Sequence, residues 1–354
     1  MVSNLPRTVA RSWVAIAATF GISCHAQSAV TIYGLLDSGI EIVNHTPTGT
    51  LIRQSSGSLS GTHFGIRGVE DLGGGRKAVF ALESGFNMDT GTIGQGGRLF
   101  GRQAFVGLSN AYGTVTLGRQ QNLLDDVMIS FDPMKFGVAY SAVDHDLVMA
   151  GRADNAAKYV GSFGGATVSA MYARGYDFAT NESGTPIASG DARNDEYSLG
   201  LSFTRSSFGI GAVVDQRHGR SVSQSDDTQR RGAVGVRYSR GNADAFAGYR
   251  WLESRSGQTT TGANLYWTGL TYHVTSSLQV TGSIYHTDSR NSPADPTSYV
   301  VAAEYYFSKR TEFFTSSSFV HNRGGSTLGV GGFGVNISGD SPQLGMVAGL
   351  RHRF

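Results

Sequence analysis

The chain has 354 residues, with 29 Lys plus Arg against 27 Asp plus Glu, a formal charge of +2 and a pI of about 8.6. Charged residues are only 16%, against about 25% in soluble globular domains, while glycine reaches 49 and proline only 7. This composition argues against an ordinary soluble enzyme, and a charge so near neutral gives no reason to expect a nucleic-acid partner.

Residues 1–26 read as a signal peptide. Arg7 and Arg11 supply the positive start, Ser12–Ser23 the apolar core, and Cys24-His25-Ala26 ends in the small residue that signal peptidase requires. Cleavage is expected after Ala26, with Ala29 second. Gly21 stands where a lipoprotein signal normally has a branched apolar residue, which argues against lipidation at Cys24. Cleavage would remove the only cysteine, so the mature chain is expected to have neither disulfide nor thiol chemistry. Beyond this stretch no apolar run approaches the ~18 residues of a membrane helix.

From Val30 the chain alternates. Val30, Ile32, Gly34, Leu36, Ser38, Ile40 and Ile42 oppose Thr31, Tyr33, Leu35, Asp37, Gly39 and Glu41. The pattern recurs in Thr62–Val69, Arg76–Phe86, Ala166–Tyr176, Glu196–Thr204, Phe208–Asp215, Arg231–Tyr238 and Ala245–Leu252. It continues through Asn264–Val274, Leu278–His286, Tyr299–Phe307, Glu312–His321 and Gln343–Phe354. Short connections (Asp71–Gly75, Asn110–Gly113, Gly164–Gly165, Ser206–Ser207, Arg240–Asn242, Thr275–Ser277, Ser308–Arg310) take turns with longer polar ones near 45–58, 87–97, 121–150, 177–192, 217–228, 254–262, 288–297 and 322–342. Strands of this kind in an up-and-down meander, about sixteen in number, read as an all-β transmembrane antiparallel barrel. Its backbone groups must all be paired in lipid, so the sheet has to close. Residues 27–354 form one such domain on this reading, with aromatic girdles at Tyr172 and Tyr176, Tyr249 and Trp251, Tyr266 and Trp267, and Tyr305 to Phe307.

The stretch Arg98–Ala150 interrupts the pattern. It opens with two strands joined at Ser109–Gly113, then runs through Gln121–Ala150 with no clean alternation and no capped helical face. A connection that long inside a strand-rich protein is expected to be functional; here it is read as folding inward to narrow a channel. Hydrophobicity would turn Ala104, Val106 and Leu108 to lipid and carry Arg102 with them, at a cost of ~2–4 kcal/mol. The opposite phase, with Gln103, Phe105 and Gly107 outward, is therefore expected. Arg67, Arg102, Arg152, Lys158, Arg231, Arg237, Arg250, Arg351 and Arg353 then share the wet face with Asp37, Glu41, Glu83, Asp154 and Glu304.

The stretches VTIYGLLDSGIE, HFGIRGVEDLGGGRKAVFALESGFN, LFGRQAFVGLSNAYGTVTLGRQ, GRADNAAKYVGSFGG and GLRHRF together resemble the trimeric general porins of β-proteobacterial type. The resemblance implies a sixteen-stranded barrel, a homotrimer, a third long loop folded into the lumen, and passive diffusion of ions and small hydrophilic solutes across the outer membrane of a Gram-negative cell. It also implies contact with outer-membrane lipid and lipopolysaccharide, and a terminal Phe354 read by the barrel-insertion machinery. By position, Arg102 and Arg152 fall on the wall arginines of the family's narrow zone and Asp132 on its loop carboxylate. Asp126 lies earlier on that loop, and Lys135 belongs to the same candidate set. His63 stands where the family usually has arginine, which makes the constriction sensitive to pH near the imidazole reference of about 6.5. Phe136 lies near where enterobacterial relatives carry a second acid, a departure that argues against strong cation preference. A mild anion preference is expected.

Other chemistries find little support. DLGGG and GVGGFG are not followed by helices, so they are read as turn and strand rather than phosphate cradles. His145, His218, His273, His286, His321 and His352 lack metal-ligand spacing, and no cofactor or catalytic set is expected. Asp125-Asp126 is read as a solvated pair at a pore mouth rather than a Ca²⁺ or Mg²⁺ site. A barrel hydrolase with a Ser/His pair has no local signature. The alternatives kept open are a substrate-selective channel for sugars or phosphate, and an adhesin or structural barrel with a plugged lumen.

Overall fold

The computed structural model describes residues 29–177, 194–219, 226–330 and 337–354. The signal peptide expected at 1–26 and parts of three expected loops lie outside them. The described chain forms β1 (Ala29–Thr46), β2 (Gly49–Ser56), β3 (His63–Gly73), β4 (Arg76–Gly85), β5 (Gln103–Asn110), β6 (Gly113–Gln121), β7 (Arg152–Phe163), β8 (Ala166–Arg174) and β9 (Asp195–Arg205). It continues through β10 (Phe208–His218), β11 (Thr228–Arg240), β12 (Ala243–Ser256), β13 (Thr259–His273), β14 (Leu278–Arg290), β15 (Thr297–Tyr306), β16 (Thr311–His321) and β17 (Gln343–Arg353). Between β6 and β7 lie two short helices, α1 (Leu123–Met128) and α2 (Ala142–His145), and two 3₁₀ turns, Ile129–Phe131 and Leu147–Ala150.

Apart from β2 and β3, each strand pairs antiparallel with the next, and β1 closes on β17 from Leu35↔Arg353 to Val43↔Gly345. The seventeen segments make sixteen staves, because β2 and β3 lie end to end along one edge of β1. The stave breaks at 57–62, whose chain turns into the protein, with Ser58 and Leu59 buried. Asp37, fully buried on β1, holds the break: its carboxylate accepts the backbone N–H groups of Ser58, Leu59 and Ser60 at 2.9–3.0 Å. Asp37→Ala would strand three donors, those of Ser58 and Leu59 buried and that of Ser60 half-buried, at ~1–3 kcal/mol for each buried one before relaxation. A loss of about 3 kcal/mol in refolding stability is expected from a guanidinium titration, and a smaller one for Asp37→Asn, which keeps one acceptor oxygen.

The alternation read in β1 stands: Val30 and Ile32 are 64% and 69% exposed, while Asp37 and Glu41 are buried. The outer face carries Val106, Leu108, Leu199, Leu201, Val214 and Val301, as a lipid-facing wall requires. Aromatic residues gather near both strand ends, Tyr172 against Tyr197 (ring centres 5.1 Å) at one and Tyr305 against Phe307 (5.3 Å) at the other. All seven expected short connections are tight turns, and in DLGGG the residues Gly73, Gly74 and Gly75 take φ of +78°, +61° and +75°, a run that side chains resist.

Three expectations are corrected. The stretches 45–58 and 254–262 are not loops. They are hairpin ends in which β1 and β2, and β12 and β13, continue to two-residue turns, because Thr-rich polar strands keep pairing beyond the greasy band. The phase assigned to β5 is reversed: Val106 and Leu108 are 59% and 62% exposed, and Gln103 shares a face with the buried Glu83. Arg102 nevertheless avoids lipid, because it precedes β5, in a bend where its N–H donates to the Glu83 carbonyl at 3.1 Å. Alternation starts one residue after it.

Candidate functional site

Two groups of residues on the buried faces define the site. The first is ionic and sits on β3–β7 and the chain between them, joined by Tyr33 of β1 and by Asp177 just beyond β8. Glu83 accepts from Arg102 Nε at 2.5 Å and from the Tyr33 hydroxyl at 2.8 Å. His63 donates from Nδ1 to the Gly61 carbonyl at 2.7 Å, and its Nε2 lies 3.9 Å from Glu83. Asp154 takes Arg98 at 3.0 Å and Arg119 at 2.6 Å; Asp177 takes Arg119 at 2.7 Å and lies 3.9 Å from Arg152. Lys158 binds Asp126 at 2.6 Å. Arg102 and Arg152 are close enough to act on the charge of Asp125, whose carboxylate accepts from the Gln121 amide.

The second group holds Gln121–Ala150 against the rest of the wall. Asn122 caps α1 by accepting from Asp125 N, and its amide ties the segment's start to its end at Val148 O, 2.9 Å. Trp267 Nε1 donates to Phe131 O (2.9 Å), the Tyr285 hydroxyl to Asp132 (2.7 Å), and the Tyr140 hydroxyl to Glu41 (3.2 Å). The His145 ring nitrogens meet Thr287 and Ser298 at 2.8 and 2.9 Å. Burial, followed by the Arg250 charge, pushes His145 down to about 3, so the ring is neutral there. Asp146 lies between Arg231 (2.9 Å) and Arg250 (3.0 Å). Ala139 N donates to Ser58 O at 2.9 Å, so the segment also meets the break in the second stave. These attachments fall on β11–β15, β1 and the 57–62 break, and α1 lies along β8–β11.

The expected site residues therefore divide. His63, Arg102, Arg152 and Asp126 join the ionic group. Asp132 does not: it is fully buried, bound to Tyr285 and to Phe136 N, because burial with two donors suits an anchor. Lys135 is exposed at φ +53° and, among the described residues, makes no ion pair. Asp125-Asp126 is not a solvated pair; Asp125 is buried on the side of α1 that packs, and only Asp126 is exposed. Sequence reasoning missed Arg98, Arg119 and Asp177. Parity with Val115 and Leu117 would turn Arg119 outward, but the ladder shifts register between Gly118 and Gln120 and Gly118 takes φ +129°, so Arg119 turns in. A signal was present: Arg98, Arg102, Arg119 and Arg152 each follow a glycine, the residue that lets a strand leave its pleat.

A closed barrel with an apolar outside and a charged inside defines a channel-forming protein of the outer membrane. The chain belongs to the Gram-negative porin family, whose model matches residues 12–325. It is 28% identical to an outer membrane porin protein of Bordetella pertussis over 96% of this chain and 98% of that protein. Identity to outer membrane porin protein 32 of Delftia acidovorans is 27% over 93% and 95%. Among solved structures, the anion-selective porin from Comamonas acidovorans superposes with a TM-score of 0.82 at 22% identity, over 93% of this chain and all of that one. A trimer form of OmpT from Vibrio cholerae gives 0.65 at 16% identity. The protein is thus an outer-membrane diffusion porin.

Proposed function

We propose that Gln121–Ala150 occupies the bore and leaves a water-filled passage between itself and the β3–β7 wall, and that this passage mildly prefers anions. The supporting observation is the ionic group, in which Arg98, Arg102, Arg119, Arg152 and Lys158 are interleaved with Glu83, Asp154 and Asp177 on the wall and stand beside Asp125 and Asp126 of the segment. Burial, with Asp126 beside it, pushes Asp125 up to about 7, so near neutrality one carboxylate is part protonated and the cations are in excess. Opposed charge across a narrow passage biases which ion crosses.

Reversal potential in a salt gradient tests this. A unit charge about 7 Å from the ion path is worth about 0.6 kcal/mol in water, and about half that in 0.1 M salt. It acts with opposite sign on anion and cation, so Arg102→Ala is expected to lower the anion-to-cation ratio about threefold. An unchanged ratio would remove Arg102 from the passage.

The outer wall supports a homotrimer. Near the middle of β16, β17, β1 and β2, the rows Thr315–Ala348–Ile40–Gln54 and Phe313–Leu350–Ser38–Ser56 put amide and hydroxyl groups outward, with Gln54 Nε2 bound to Ser38 at 3.1 Å. Polar groups are costly against hydrocarbon, and a neighbouring subunit would cover them. Gln54→Leu with Ser38→Ala is expected to leave the barrel folded and to alter the trimer's melting point on semi-native gels. Lipopolysaccharide would surround the remaining wall, and Phe354 would serve as the insertion signal.

A further inference from the structure

One row of cross-strand partners crosses the buried wall: Gly211↔Gly235↔Gly248↔Trp267↔Tyr285, on five consecutive strands. Three glycines side by side in the interior of a sheet sacrifice packing and chain order, where β-branched residues would stabilise it. The reason is what lies over them. A β-carbon on Gly211 would fall 2.3 Å from the Phe131 ring, and one on Gly235 2.5 Å from Phe131 Cβ and 2.9 Å from Met128 Cε. One on Gly248 would fall 2.1 Å from the Trp267 indole, which is thereby turned to donate to Phe131 O. Tyr285, the next in the row, holds Asp132. Outside the row, Gly200 meets Val127 and Gly269 meets Pro133 in the same way, at 2.8 and 2.6 Å.

We infer that this glycine gutter, stopped by Trp267 and Tyr285, is the seat that sets how far Gln121–Ala150 stands from the opposite wall, and so is the size-determining element of the channel. Phe131 is the wedge that fills it. The seat rests on the reading that the segment occupies the bore. Every side chain added to the gutter must lift Val127–Pro133 toward Arg102 and Arg152, because the wall's hydrogen-bonded ladder cannot retreat.

The test is Gly235→Leu in the full-length protein, with folding checked by heat-modifiable migration on gels. Hydrogen exchange over residues 127–136 reads the seat, and single-channel conductance with polymer exclusion reads the passage. Faster exchange with conductance reduced by about half and a smaller polymer cut-off is expected. Unchanged exchange and conductance would overturn the seat. Faster exchange at unchanged conductance would leave the seat standing and overturn the bore reading instead. The double variant Gly235→Leu/Phe131→Ala, which returns room to the gutter, is expected to restore conductance. If Gly235→Leu fails to fold and the double variant also fails, the glycine serves the barrel itself and the proposal is wrong.

Discussion

Asp146→Ala is expected to detach the last third of Gln121–Ala150 from the wall and to make the open channel noisy. Its carboxylate is almost fully buried between Arg231 and Arg250, whose side chains are 4% and 1% exposed. The Arg231 contact is an aligned hydrogen bond, and that to Arg250 is a charge contact whose Nε points away. Burial alone would raise the Asp146 pKa; the two guanidinium groups outweigh it and hold the carboxyl at about 2. Deleting one partner of a buried ionic group costs about 3–5 kcal/mol, because the remaining charges are left without compensation. Here two like charges would face each other. Protection of residues 142–150 from exchange should fall accordingly, and Arg250→Met in the same background should recover part of it by removing one of the opposed cations.

The pH dependence of this clasp follows from its sign. The folded pKa lies below the unfolded value of about 3.9, so the clasp contributes fully above that value and is lost as pH falls toward about 2. The wild-type segment should therefore stay protected at pH 5, whereas the variant is unprotected at every pH. Protection surviving in Asp146→Ala at neutral pH would show that His145, bonded to Thr287 and Ser298, is anchor enough.

The wall was legible in the sequence because alternation reports a local property. Each residue of β1, β10 or β16 meets either hydrocarbon or the buried interior, and its type follows. Arg102 and Arg119 escaped that reading for a common reason. Each sits at a glycine-made departure from the pleat, so counting by twos from Val106 or Leu117 gives the wrong side for them. Using Arg102 to choose the phase of β5 then reversed the whole strand, when the hydrophobic residues alone had it right.

Asp132 stands apart from the ionic group for a different reason. Its place in the chain matched a carboxylate of the narrow zone, yet its fate depends on Tyr285, which lies 153 residues away. No local pattern announces that pairing. The gutter was also hidden, since Gly211, Gly235 and Gly248 are unremarkable one strand at a time and become a feature only when register aligns them.

The anion-to-cation ratio of the wild-type channel is expected to rise about twofold between pH 8 and pH 6, by the screened estimate given for Arg102 applied to the roughly four-fifths of a charge that titrates in that range. The group responsible is Asp125. Burial raises its pKa to about 7, Asp126 adds to the rise, and Arg152, Arg102 and Lys158 oppose it. As pH falls through that value the carboxylate takes up a proton and a negative charge leaves a site that already faces Arg102 and Arg152. The passage becomes more positive and anions gain. Asp125→Asn keeps the size and the polar contact with Gln121 while fixing the neutral form. It should show the acid-side ratio across the whole range, with the slope largely gone. His63 supplies the competing account, since its imidazole lies 3.9 Å from Glu83 and would add positive charge in the same direction. His63→Asn separates the two. If that variant flattens the pH profile and Asp125→Asn does not, the titrating group is on the wall rather than on the segment. In that case the charge of the segment's first turn has no part in selecting ions.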